Sequence, residues 1–173
     1  MSSPVGVHLI QLYAQHYLPR LFNKHWDANT LHYNGWPAYI CVDESAAVFC
    51  LCGKVLDCTL CAEDGAPVPD VFVNVEPVHP GDGAAIVRLV KEAGFPERDV
   101  YDGATNVYPY RTPQTKLDPR NIEEGDIVMV EGHVVCRPRC LPGWNSDLEL
   151  RNLYLLEKGQ NVLLKRQLGV PSR

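Results

Sequence analysis

Apolar and polar positions alternate with period two along several stretches of this chain, and that alternation predicts strands. In Ile40 to Lys54 an apolar run enters the acidic turn Asp43-Glu44-Ser45 and leaves through Val48 to Cys52. A tight strand–turn–strand over 38–52 is the expected result. Val71 to Glu76 alternates in the same way. Ile127 to Val135 is a strong strand with Gly132 at its centre, where a bulge should bend it. Leu148 to Leu156 predicts the last strand.

Helical spacing occurs in three places. Val5, Leu9, Leu12, Tyr13, His16, Tyr17, Leu21 and Phe22 form an amphipathic pattern over 5–23, interrupted near Pro19. A second helix is expected from an N-cap at Asp82 through Ile86, Val87, Leu89 and Val90 to Ala93, with Gly94 as C-cap and Pro96 beyond. A short third helix spans Asn161 to Leu168. Asn34-Gly35 and Pro37 signal a turn. Residues 96–121, rich in Pro, Asp, Asn and Thr, predict a loop, and Cys136 to Ser146 predicts another.

At 173 residues the chain is long enough to bury a core and suits one domain. Its hydrophobic fraction of 46% and charged fraction of 21% are those of a globular protein. No apolar run reaches the ~20 residues of a bilayer-spanning helix, and the N-terminus lacks a secretory pattern. Seven cysteines at irregular spacing, with no secretion signal, favour a reducing compartment over a disulfide framework. The net charge of −5 argues against a strongly basic, autonomous nucleic-acid binder. Residues 133–173, however, hold seven Lys/Arg against three Asp/Glu (+4), and residues 1–132 hold nine against eighteen (−9). Phosphate contacts are therefore expected toward the C-terminal end.

Strands, a helix, then two strands joined by a loop is the layout of an oligonucleotide-binding (OB) barrel. Four segments sharpen this. Val42-Asp43-Glu44-Ser45-Ala46-Ala47-Val48-Phe49-Cys50-Leu51-Cys52 resembles the "V-D-D-S/T-T-G-V-I-x-C-x-C" segment of the Stn subunit of the telomere-capping CST complex, a relative of the middle subunit of replication protein A. Tyr33-Asn34-Gly35-Trp36-Pro37 is similar to that family's "Y-N-G-H-P". Ile122 to Gly132 resembles "I-x-x-G-D-x-I/V-x-V-x-G", and Val162 to Pro171 resembles the C-terminal "I-x-I-x-R-x-L-x-L-P" helix.

The resemblance implies a mainly β protein with helices, built as a single OB-fold barrel. Residues 1–29 would form an N-terminal helical segment, 30–157 the OB domain, and 158–173 a C-terminal helix serving as a partner interface. Three departures stand out. About twenty residues, the amount for one strand and its turn, are missing between Pro37 and Val42, so the barrel is expected to lack or replace its first strand. Gly53 stands where an aromatic is expected. Winged-helix modules found in many members have no counterpart before Arg173.

The implied function is a non-catalytic, nuclear, telomeric subunit. Its partners would be a small Ten-type OB subunit, the large CST subunit, single-stranded telomeric DNA and polymerase alpha–primase, with no membrane and no cofactor. Single-strand binders combine a basic groove with aromatic platforms. The candidates here are Lys54, Arg137, Arg139, Trp144, Arg151 and Tyr154. Arg151 and Tyr154 are three apart, so at most one can line the groove on an ideal strand. Val162, Leu164, Arg166, Leu168 and Val170 are the candidate partner interface.

Alternatives from other classes remain. Cys50, Cys52, Cys58 and Cys61, as C-x-C then C-x-x-C, suit a structural zinc knuckle in a small interaction protein with no nucleic-acid role. An ordinary replication-protein-A-like subunit is the nearer alternative. No local signature for a Cys/His nucleophile and no phosphate-binding glycine loop is present.

Overall fold

The computed structural model describes residues 31–34, 38–42, 45–79, 82, 85–92, 99–104, 115–137 and 145–159. The expected helices over 5–23 and 161–168 lie outside the described residues. Of the loop expected over 136–146, Cys136 and Arg137 instead end one strand and Asn145 and Ser146 begin another, while residues 138–144 lie outside the described residues.

The described chain is mainly β, arranged as one mixed sheet. Its strands are β1 (Leu31–Asn34), β2 (Ala38–Val42), β3 (Ser45–Ala46), β4 (Val48–Thr59), β5 (Asp70–Pro77), β6 (Val87–Glu92), β7 (Asp99–Asp102), β8 (Ile127–Arg137) and β9 (Asn145–Glu157). Five of them pair in a ring. β4 is antiparallel to β5, β5 to β6, β8 to β9, and β4 to β8. The ring meets between β6 and β9, which run parallel and touch in register at Val90 and Glu149. β1, β2, β3 and β7 are additions: β7 runs parallel to β9, β1 and β3 pair with β2, and β2 pairs with the far end of β8 through Ala38↔Cys136 and Tyr39↔Val135.

Period two explains the core. Phe49, Leu51 and Val55 of β4, Val71, Val73 and Val75 of β5, and Val87 and Leu89 of β6 point inward. Val128 and Val130 of β8 and Leu150, Leu153 and Leu155 of β9 complete the cluster. Each fully buried aliphatic side chain contributes roughly 1.5–3 kcal/mol. A second buried layer lies on the opposite face of the β4–β8–β9 wall: Cys50, Cys52, Met129, Tyr154, Leu156 and Tyr101 of β7.

Three expected elements are corrected. The helix expected over 82–93 is replaced at Val87–Glu92 by strand β6, paired with β5 from Val75↔Val87 to Asp70↔Glu92. The spacing of Val87, Leu89 and Val90 fits either period, and the vacant edge of β5 decides it. Residues 96–121 are not all loop, since they hold β7 and a 3-10 turn at Pro119–Asn121. The strand–turn–strand at 38–52 is a hairpin only two pairs deep, Cys41↔Ala46 and Val42↔Ser45. Beyond it β4 leaves β2 and runs along β8 instead.

Of the two outcomes expected for the first strand, lacking or replaced, the sheet shows the second: β4, β5, β6, β9 and β8 form the partial ring with no strand before Val42, and the twelve-residue β4 is the first in it. The bulge expected at Gly132 is present. Glu131 faces Asn152 while Gly132 faces Leu150, leaving Arg151 as the extra residue. A Cβ on Gly132 would lie 2.6 Å from the Glu149 carbonyl oxygen and 2.8 Å from Phe49 Cζ, so only glycine admits this approach. Gly53 has the same cause: a Cβ there would meet Val75 Cγ1 at 2.4 Å.

Asp126, of the Gly-Asp pair ahead of β8, ties the ends of the wall together. It is fully buried and accepts from Glu123 N (2.9 Å), Gly159 N (2.8 Å) and Lys158 Nζ (2.9 Å). A buried carboxylate is tolerated where its oxygens are met in this way.

Candidate nucleic-acid interface

Because Val71, Val73 and Val75 face inward, Phe72, Asn74 and Glu76 face outward on β5. On β6 the same alternation buries Val87 and Leu89 and exposes Arg88. The register places Asn74 opposite Arg88. The Arg88 guanidinium lies 4.0 Å from the centre of the Phe72 ring, with Nη1 3.4 Å from Asn74 Oδ1. A cation over an aromatic face beside an amide is a flat platform with hydrogen-bonding edges. Such a surface can stack a planar base and hold a phosphate. Lys54 is exposed on β4, cross-strand from Glu76 on the same outer side.

Sequence reasoning missed this platform. Phe72 and Asn74 were legible as the outward positions of an alternating strand. Arg88 was hidden because its segment was expected to be helical.

The sequence-derived candidates separate. Arg137 is the last residue of β8, paired with Asn145, while Arg139 and Trp144 lie outside the described residues. Arg151 is exposed, thrown outward by the bulge. Tyr154 is enclosed at 3% exposure. Its ring stacks on Tyr101 with centroids 5.4 Å apart, and its hydroxyl donates to Glu131 Oε2 at 3.2 Å. A base cannot reach it. Val162, Leu164, Arg166, Leu168 and Val170 lie outside the described residues.

Arg151 is not a free cation. Its Nη1 lies 2.8 Å from His133 Nε2, while His133 Nδ1 lies 2.8 Å from the Ala47 carbonyl oxygen. A carbonyl only accepts and a guanidinium only donates, so the imidazole must carry its hydrogen on Nδ1 and accept at Nε2. That is the neutral ring. Burial pushes His133 below its ordinary value of 6.5, and the Arg151 charge works in the same direction. The bond to Ala47 and the carboxylates of Glu149 and Glu131 oppose it. The Tyr39 ring closes the site edge-on, 5.6 Å from the imidazole. Next along the wall, the fully buried Glu131 accepts from Asn152 Nδ2 at 2.7 Å.

A cleft of about 540 Å³ opens between the β4–β5 connection and the turn ahead of β8, lined in part by Cys58, Cys61, Glu63, Arg120 and Glu123. Burial, with the charges of Asp57 and Asp126, pushes the Cys58 thiol up to about 11. It sits as a donor 3.9 Å from the Ile122 carbonyl. A thiol held protonated is a poor nucleophile. Arg120 is paired with Asp118, whose carboxyl the Arg120 hydrogen bonds hold down at about 2. Cys50 and Cys52 belong to the outer buried layer, whereas Cys58 packs on the inner core. Among the described residues no group of three or more His, Cys, Asp or Glu side chains could hold a metal ion.

No family model matches the chain, and no curated protein matches it.

Proposed function

We propose that this chain is a non-catalytic OB-fold subunit that binds single-stranded nucleic acid across the outer face of β5 and β6. The observation that carries the reading is the ring order. Three antiparallel neighbours, β4, β5 and β6, meet a parallel β9, and β8 returns to β4. This is the connectivity of a five-stranded Greek-key barrel, whose second and third strands form the oligonucleotide face in that fold. Here those strands are β5 and β6, and they carry the Phe72–Arg88–Asn74 platform. The acidic net charge makes the chain a modest binder alone and suits it to a complex in which other subunits supply basic surface.

The finer form of the proposal is a Stn-like role. The chain would bind a small Ten-type OB subunit through Val162, Leu164, Leu168 and Val170, join the large CST subunit at telomeric single strands in the nucleus, and serve polymerase alpha–primase. That form is supported by the four sequence segments. The ring strands begin one element later than the resemblance implies, since the Val42–Cys52 segment leads into the first ring strand.

Phe72→Ala with Arg88→Ala should weaken binding to a labelled single-stranded oligonucleotide by about tenfold, since each lost stacking contact costs ~1–3 kcal/mol. Fluorescence anisotropy at low salt measures this, and unchanged affinity removes the face from the proposal. For the finer form, Leu164→Glu with Leu168→Glu should abolish co-purification with a Ten-type partner while the fold is retained. Undiminished co-purification contradicts it.

A further inference from the structure

The bulge that ejects Arg151 places it against a histidine whose hydrogen-bond roles are already fixed. His133 is 4% exposed and bridges three elements: Ala47 between β3 and β4, Tyr39 of β2, and Arg151 of β9. The charged groups around it are Glu131 on its own strand and Glu149 and Arg151 on β9. Glu149 is directly cross-strand from His133 and 5% exposed, with no hydrogen bond or ion pair among the described residues. A buried carboxylate in that condition gains by acquiring a donor.

We propose that His133 is a proton-controlled latch on Arg151: neutral, it accepts the guanidinium at Nε2 and holds it against the sheet; protonated, it donates from Nε2 to Glu149 and releases Arg151 to solvent.

The exchange balances. One proton is taken up at Nε2, the Arg151–His133 hydrogen bond is lost, and a charge-assisted bond to Glu149 replaces it. The Nδ1 bond to Ala47 survives, so the β2–β3 hairpin stays anchored while the guanidinium changes state. Two donors cannot share one hydrogen bond, and imidazolium and guanidinium repel at this distance. Burial sets the latch to open below the pH at which an exposed histidine would titrate. Arg151 stands where β6 leaves β9 and β7 joins it, so its release frees for a phosphate a guanidinium that already lies at the surface.

The test is NMR of the full chain between pH 8 and pH 5. The His133 imidazole nitrogens and the Arg151 side-chain N–H groups should titrate together, with one midpoint below 6.5. Arg151 N–H exchange should quicken as His133 protonates. His133→Gln, whose amide oxygen can replace Nε2 as acceptor, should keep Arg151 protected at every pH. His133→Phe should leave it unprotected at every pH. Should the phenylalanine variant fail to fold, the wild-type titration and the glutamine variant still decide. Arg151 signals that do not follow His133, or a His133 that titrates as an exposed imidazole, overturn the latch.

A second readout rests on the nucleic-acid proposal. Oligonucleotide affinity of the wild type should rise several-fold more between pH 7.5 and 5.5 than that of His133→Gln. A protein that releases Arg151 on cue yet binds no oligonucleotide at either pH supports the latch and refutes the nucleic-acid proposal.

Discussion

Asp126 shows how one side chain can hold a wall of this sheet. Its three donors come from the turn before β8 and from the residues just after β9, so it joins both ends of the β8–β9 pair. Asp126→Ala leaves two backbone N–H groups without their acceptor and Lys158 with only the Asn121 carbonyl, and each buried donor left unmet costs about 1–3 kcal/mol. Denaturant unfolding should show a loss of that size. A change below about 1 kcal/mol would mean that water replaces the carboxylate easily. His133 ties the stability of the fold to pH. Its folded-state pKa lies below the unfolded value of 6.5, so the unfolded chain binds the extra proton more readily. The stability this residue contributes is complete above about 6.5 and is lost as pH falls through the window between the two values. A urea midpoint that falls from pH 7.5 to 5.5 in the wild type, and falls less in His133→Gln, is the expected result.

Elements differed in how much of themselves they displayed in sequence. The strands at 71–76, 127–135 and 148–156 were legible because one buried face imposes strict alternation on each. β6 was not, because Val87, Leu89 and Val90 satisfy both a helical and a strand spacing, and only the open edge of β5 selects between them. β7 has four residues in a stretch dominated by turn formers, too short for any period to emerge. The strand–turn–strand expected over 38–52 was right at its turn but not in its length, since nothing local shows that β8 offers one edge to both β2 and β4. The bulge at Gly132 was anticipated from the glycine itself, while its consequence for Arg151 needed the register. Gly132→Ala tests how tight this crossing is. The Phe49 ring can move, but the Glu149 carbonyl is backbone and cannot, so overpacking should cost roughly 1–3 kcal/mol. A neutral substitution in thermal unfolding would show that the bulge relaxes.

At the scale of the whole molecule, the ring separates packed faces from the proposed recognition surface. The inner face is aliphatic, and the wall β4–β8–β9 is buried on its other face as well, which removes Tyr154 from any groove. That leaves the outer side of β5 and β6 as the ring surface combining an aromatic, a guanidinium and an amide in contact. The basic surplus of residues 133–173 pointed to the C-terminal end of the chain rather than to β5 and β6. Charge along the sequence could suggest a region but not a face, because the platform is assembled from two strands that are themselves not basic.

The most direct measurement of this account is an amide chemical-shift titration of the ¹⁵N-labelled chain with a single-stranded oligonucleotide at low salt. The account predicts shifts concentrated on β5 and β6 around Phe72, Asn74 and Arg88, diminishing as salt is raised. No shifts at millimolar oligonucleotide, or shifts confined to strands other than these two, would contradict it.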